Sequence, residues 1–246
     1  MPSILITGCS SGYGLETANL FHANGWNVIA TMRTPQEDIL PKSDRIKVLA
    51  LDVTDPQSIA AAIETCGPID ALVNNAGIGL FGAFEATPMS TIREIFATNT
   101  FGSMAMVQAV LPQFRSRKSG TIVNVTSSAV LAPMPLVAAY SASKTAVEGF
   151  TASLELELRT FDIRVKLVQP GYCPDTQFSA NTGARIVIPE AYSTYAQDVF
   201  TAYQQPDDVT TATDVADTVW LAVNDTSDQL RFPAGADARK LVGVSG

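Results

Sequence analysis

Short, unbroken apolar runs alternate with longer segments of helical period along this chain, and that alternation restricts the fold more than any other feature. Runs rich in β-branched residues stand at 3–7, 27–32, 46–51, 69–74, 121–126 and 163–169, with a shorter one near 229–232. They are apolar throughout instead of alternating in and out, the pattern of strands buried on both faces. Helical periods at 13–24, 56–66, 88–116, 139–160 and 212–223 supply the covering layers, the third of them broken around Asn99. Gly25 falls where a helix C-cap is needed, and Asp55-Pro56 gives an N-cap followed by proline in the first turn. Repeated βαβ order predicts an α/β fold with a doubly wound parallel sheet of about seven strands and helices on both faces. Ligands of such sheets bind beyond the C-terminal strand ends. No repeat or linker interrupts the pattern, so residues 1–246 read as one domain. The stretch 172–211 lacks clear periodicity and is expected to form a substrate lid.

The turn after the first run, ITGCSSGYG at 6–14, satisfies two motifs. Gly8-Cys9-Ser10-Ser11-Gly12 fits G-x-S-x-G, the turn that presents a hydrolase's nucleophilic serine. Gly8, Gly12 and Gly14 also suit a bare-backbone cradle for phosphates at a helix N-terminus. The histidine count decides between them. His22 is the single histidine, 12 residues past Ser10 and in line with Leu15 and Ala18 in a predicted helix. A serine hydrolase of this type needs a histidine late in the chain, so the cradle is the better reading and His22 is structural.

The same scarcity, with Cys9, Cys66 and Cys173 at unrelated spacings, leaves no metal site or disulfide framework. It fits a reducing, cytoplasmic location. A net charge of −8, with no basic cluster beyond Arg115–Lys118, argues against a nucleic-acid partner. No signal peptide and no apolar run of about 18 residues is evident, so no membrane partner is expected.

Acid–base chemistry stands further along. Tyr140 and Lys144 lie four residues apart at a helix start, on one face, where a cation beside a phenol favours the phenolate. Ser127 ends a buried run 13 residues before Tyr140, placed to polarise a carbonyl. Asn99 interrupts a helix, and Asn74-Asn75-Ala76-Gly77 ends the fourth run. All are predicted at the C-terminal ends of neighbouring strands.

With these residues in place, the chain resembles the short-chain dehydrogenase/reductase family over nearly its whole length. The matching motifs are T-G-x-x-x-G-x-G at 7–14, L-D-V-T at 51–54, N-N-A-G at 74–77, N-x-x-G at 99–102, Ser127, Y-x-x-x-K at 140–144 and P-G at 170–171. The texture around them is similar to 17β-hydroxysteroid-dehydrogenase-like and carbonyl-reductase-like members. The resemblance implies a Rossmann-type fold and a catalytic set of Asn99, Ser127, Tyr140 and Lys144. Tyr140 would be the general acid in reduction, Lys144 would lower its pKa and hold a ribose, Ser127 would orient the carbonyl, and Asn99 would anchor a water. It also implies cofactor contacts from Gly8, Ser10, Ser11, Gly12, Tyr13, Gly14, Asp52, Val53, Asn75, Ala76, Gly77, Tyr140, Lys144, Pro170 and Gly171.

The second run ends Ala30-Thr31-Met32-Arg33, with no carboxylate until Glu37. Arg33 therefore points to NADP(H), while Ser11, where many NADP users carry a basic residue, keeps NAD(H) open. Phe81, Phe84, Met134, Leu136, Tyr172, Phe178, Tyr192 and Tyr195 are expected around a small apolar carbonyl or alcohol substrate. Four residues separate Gly171 from Thr176, a departure from relatives that carry a carboxamide-binding threonine sooner, and Asp175 has no assigned role. The reading is an NADP(H)-dependent carbonyl reductase/alcohol dehydrogenase, the alternative a catalytically idle NADP-sensing protein. A homodimer or homotetramer built on the helices at 99–116 and 139–160 is implied.

Overall fold

The computed structural model describes residues 1–174, 182–183, 185–203 and 208–244. Seven strands form one parallel sheet: β1 (Ser3–Thr7), β2 (Asn27–Met32), β3 (Ile46–Ala50), β4 (Ala71–Asn74), β5 (Gly120–Val125), β6 (Ile163–Pro170) and β7 (Arg231–Ala234). Their order is β3-β2-β1-β4-β5-β6-β7. Ile4, Leu5 and Ile6 are all fully buried, although successive side chains of a strand point to opposite faces. Both faces of β1 are therefore covered, as its unbroken apolar run predicts.

Two cores result. Ile4 and Ile6 pack with Phe21 of α1 (Gly12–Ala23) and with Val215, Val219 and Val223 of α7 (Ala212–Asn224). Leu5 packs on the other face with Ile59 of α2 (Pro56–Cys66), Met106 and Val110 of α4 (Ser103–Arg117), and Leu154 of α5 (Ala138–Leu158). Local chemistry sets the helix starts. Asp55 accepts a hydrogen bond from Gln57 N ahead of Pro56, and Thr211 and Asp214 form a reciprocal capping box on α7.

The long helix expected at 88–116 is split into α3 (Met89–Phe96), a π-helical turn at Ala97–Gly102 and α4, with the break at Asn99. The stretch 172–211 is not without regular structure: α6 (Ser193–Tyr203) lies inside it. A terminal helix, α8 (Ala236–Val244), was not expected from periodicity. The last strand sits two residues later than expected and contains Pro233, which β7 tolerates as an edge strand. Asp175, Thr176 and Phe178 lie outside the described residues.

Candidate active site

The chain leaves β1 through a turn that only glycine permits. Gly8 and Gly12 have φ of 75° and 55°, and a Cβ on Gly14 would overlap the Gly8 carbonyl oxygen. Neighbouring strand ends brace this turn. Thr7 Oγ1 accepts from Asn75 N and Ala76 N at 3.0 and 2.9 Å, and Asn75 Nδ2 donates to the Thr7 and Gly8 carbonyls. The Asn75 amide is thus spent on shaping the turn. Ser11 occupies the N-cap of α1 with an extended backbone and no side-chain capping bond, which leaves the first-turn N–H groups for an anion.

A cleft of about 370 Å³ opens over this turn. It is lined by Gly8, Ser10, Ser11, Gly12, Tyr13, Arg33, Asp52, Val53, Asn75, Ala76 and Gly77, so eleven expected cofactor residues meet in one place. Gly14 lies behind them, against Gly8. Thr54 holds the Asp52 carboxyl below the usual range by donating from its N and Oγ1 at 2.9 and 2.7 Å, and Arg33 adds a smaller pull. Glu94 of α3 also lines the cleft, within the field of Arg33, and pairs with Arg185 at 2.6 Å. No local pattern marks Glu94; only the tertiary fold brings α3 to this rim. The bare turn, the free helix N-terminus and the cationic Arg33 together fit a phosphate-bearing dinucleotide.

A second cavity, of about 270 Å³, adjoins the first at the ends of β5 and β6. Ser127 and Tyr140 are in its wall. Ser127 follows β5 and caps the short turn Ser128–Val130, accepting from Ala129 N at 3.2 Å. It shares this wall with the Tyr140 phenol. Burial pushes Tyr140 up to about 12, partly offset by Ser127 beside it, and pushes Lys144 down to about 8. Ser127 is the group that eases the Tyr140 phenol downward. Lys144 Nζ instead donates to Val125 O at 3.0 Å and faces Gly77 of the cleft.

Asn99 stands behind the site. It accepts from Ile78 N at 2.9 Å and donates to Ile78 O at 3.0 Å, fastening the loop after β4, and also donates to Ser143 Oγ on α5. Pro170 and Gly171 line the second cavity, not the cleft, and Tyr13 lines both.

Phe81, Met134 and Tyr172 line the second cavity as expected, joined by Phe200 and Tyr203 of α6. Phe81 stacks on Phe200 at 4.8 Å, and Tyr172 lies 5.8 Å from Tyr203. Phe84, Leu136, Tyr192 and Tyr195 are not in its wall, and Phe84 and Tyr195 are largely exposed. No charged side chain lines it among the described residues. Ser10 faces the cleft while His22 is packed away within α1, so the hydrolase arrangement is not assembled. Among the described residues there is no metal-ligating group, and no helix is long and apolar enough to cross a membrane.

The sequence profile of the short chain dehydrogenases matches residues 2–186, which include the strand ends that line both cavities. The chain belongs to the short-chain dehydrogenase family. It is thereby related to oxidoreductases. It is 36% identical over 247 residues to the uncharacterized oxidoreductase YusZ of Bacillus subtilis, covering 94% of this chain and 88% of that one. It is 37% identical to Homo sapiens retinol dehydrogenase 8 over 76% of this chain, but only 64% of that protein's length is matched. A short-chain dehydrogenase from Streptomyces avermitilis superposes with a TM-score of 0.84 at 32% identity, covering 100% of this chain and 93% of its own. Serine dehydrogenase complexed with NADP+ does so with a TM-score of 0.78 at 27% identity, covering 94% of each chain.

Proposed function

We propose that the protein is an NADP(H)-dependent carbonyl reductase/alcohol dehydrogenase acting on a small, uncharged, apolar ketone or aldehyde. The observation that carries this reading is that Ser127 and Tyr140 stand together in the wall of a cavity that adjoins the glycine-turn cleft and has no charged side chain among its described lining residues. When bound in the cleft, the dinucleotide supplies or accepts the hydride. The chain manages position and protons. Ser127 and Tyr140 hold the carbonyl oxygen, and Tyr140 gives its proton to that oxygen as negative charge develops there. A phenol pushed up to about 12 remains protonated at neutral pH, ready as an acid. In the reverse direction Tyr140 takes the alcohol proton. Lys144, facing Gly77, would hold a ribose hydroxyl and place positive charge near the phenolate. Asn99 keeps the Ile78 loop in place beneath this region.

Arg33, exposed at the cleft rim, supports NADP(H) over NAD(H), because a guanidinium suits a 2′-phosphate. The NADP+ complex of serine dehydrogenase is in keeping with this preference.

A panel of hydrophobic ketones with NADPH and with NADH tests the reading through loss of reduced-cofactor absorbance. Turnover with NADPH is expected. Tyr140→Phe should lower kcat by about 100-fold or more while NADPH still quenches or enhances fluorescence on binding. Near-normal turnover of that variant would refute the mechanism, and binding without turnover across the panel would favour an NADP sensor.

A further inference from the structure

Both ends of the segment between β6 and α7 converge on one carboxylate. Tyr172 N donates to Asp237 Oδ2 at 2.6 Å, and Thr210 Oγ1 donates to Asp237 Oδ1 at 2.5 Å. Thr210 N closes the base by donating to Tyr172 O at 2.8 Å. One turn further along α8, Lys240 pairs with Asp208. The surroundings are cleared for this junction: a Cβ on Gly171 would overlap the Asp237 carboxylate, and one on Gly235 would overlap Thr210 Oγ1. Thr210 is 1% exposed, so its hydroxyl depends on protein partners.

The segment so held carries Ile186, Phe200 and Tyr203 of the cavity wall, and Tyr172 packs its ring toward Tyr203. We propose that Asp237 is a positioning residue that sets the outer wall of the substrate cavity by holding Tyr172 and Thr210 together. The carboxylate gives each donor its own oxygen, and the Thr210 hydroxyl, also 3.1 Å from Ala234 O, has Asp237 Oδ1 as its nearer acceptor. Alanine at 237 removes both acceptors, whereas an amide would still accept from Tyr172 N and could donate to the Thr210 hydroxyl. In its kinetic consequences the proposal rests on the reductase reading; in its structural ones it does not.

Trypsin supplies a readout independent of activity, because Arg185 is the one lysine or arginine between Lys166 and Arg231. The full chain is compared as wild type, Asp237→Ala, Thr210→Val and Thr210→Ser under native conditions. Asp237→Ala and Thr210→Val should be cut at Arg185 about five-fold faster or more, with Thr210→Ser at the wild-type rate. The ketone KM should rise about ten-fold in the first two, with kcat and the NADPH dissociation constant changed less than about three-fold. Wild-type cleavage in both variants overturns the proposal. So does a rise in KM accompanied by a comparable fall in kcat and a lower urea midpoint, the signature of general destabilisation. If Asp237→Ala does not fold, the Thr210 pair decides. If no ketone is turned over, the reductase reading fails while the cleavage rates still judge Asp237.

Discussion

Tyr140 and Lys144 sit one helical turn apart, and burial drives both toward their neutral forms. For Lys144 this has a measurable cost. The unfolded chain keeps the lysine proton up to the ordinary value of 10.5, and the folded chain only to about 8. Below pH 8 the full penalty of burying the charge is present; as pH rises from 8 toward 10.5 the unfolded state holds more protons and folding gains. Lys144→Met lacks this dependence. The stability difference between variant and wild type should move in the wild type's favour by about 2–3 kcal/mol between pH 7 and 10. Urea unfolding of the unliganded proteins measures it, and a pH-independent difference would remove burial as the cause. Arg33 makes a different kind of prediction, one of specificity. Arg33→Ala should raise the NADPH KM about ten-fold and leave the NADH reaction unchanged; equal effects on both would sink the assignment.

Among the elements, the π-helical turn at Ala97–Gly102 bears most directly on the site. It places Asn99 so that one side chain satisfies both backbone groups of Ile78. Asn99→Ala would leave those half-buried groups without their partner, at a cost of about 1–3 kcal/mol, readable as a lower urea midpoint. Much of this level could be read from the chain. The strands are legible to within about two residues because the five inner ones are buried on both faces, unlike the edge strands β3 and β7, and Ser127, Tyr140 and Lys144 are legible because they sit in local motifs at strand ends. The break at Asn99 was visible too. What escaped came from distance in sequence. Glu94 reaches the cleft from α3, and Asp237 reaches the substrate wall from a nine-residue helix. Neither has a local pattern that says where it will lie. Phe84 and Tyr195 failed for a related reason, since an aromatic in the right stretch can still face solvent.

On the scale of the molecule, Leu156 of α5 and Phe101 beside α4 stand 64% and 61% exposed. A homodimer or homotetramer built on these helices would cover them. Leu156→Glu is expected to shift the particle to a smaller mass by light scattering without loss of helical circular dichroism; an unchanged mass would move the interface elsewhere. The sheet order has a consequence for how the molecule is made. β1 finally lies between β2 and β4, yet β4 begins only at Ala71. During synthesis β1, β2 and β3 can pair first, which leaves β1 with an open side for the few seconds, at about 5–20 residues per second, before Ala71–Asn74 emerges. An open, apolar strand edge is a template for pairing with another chain. A strand interior to the finished sheet begins as its border, so the nascent chain is open to such pairing until its fourth strand arrives.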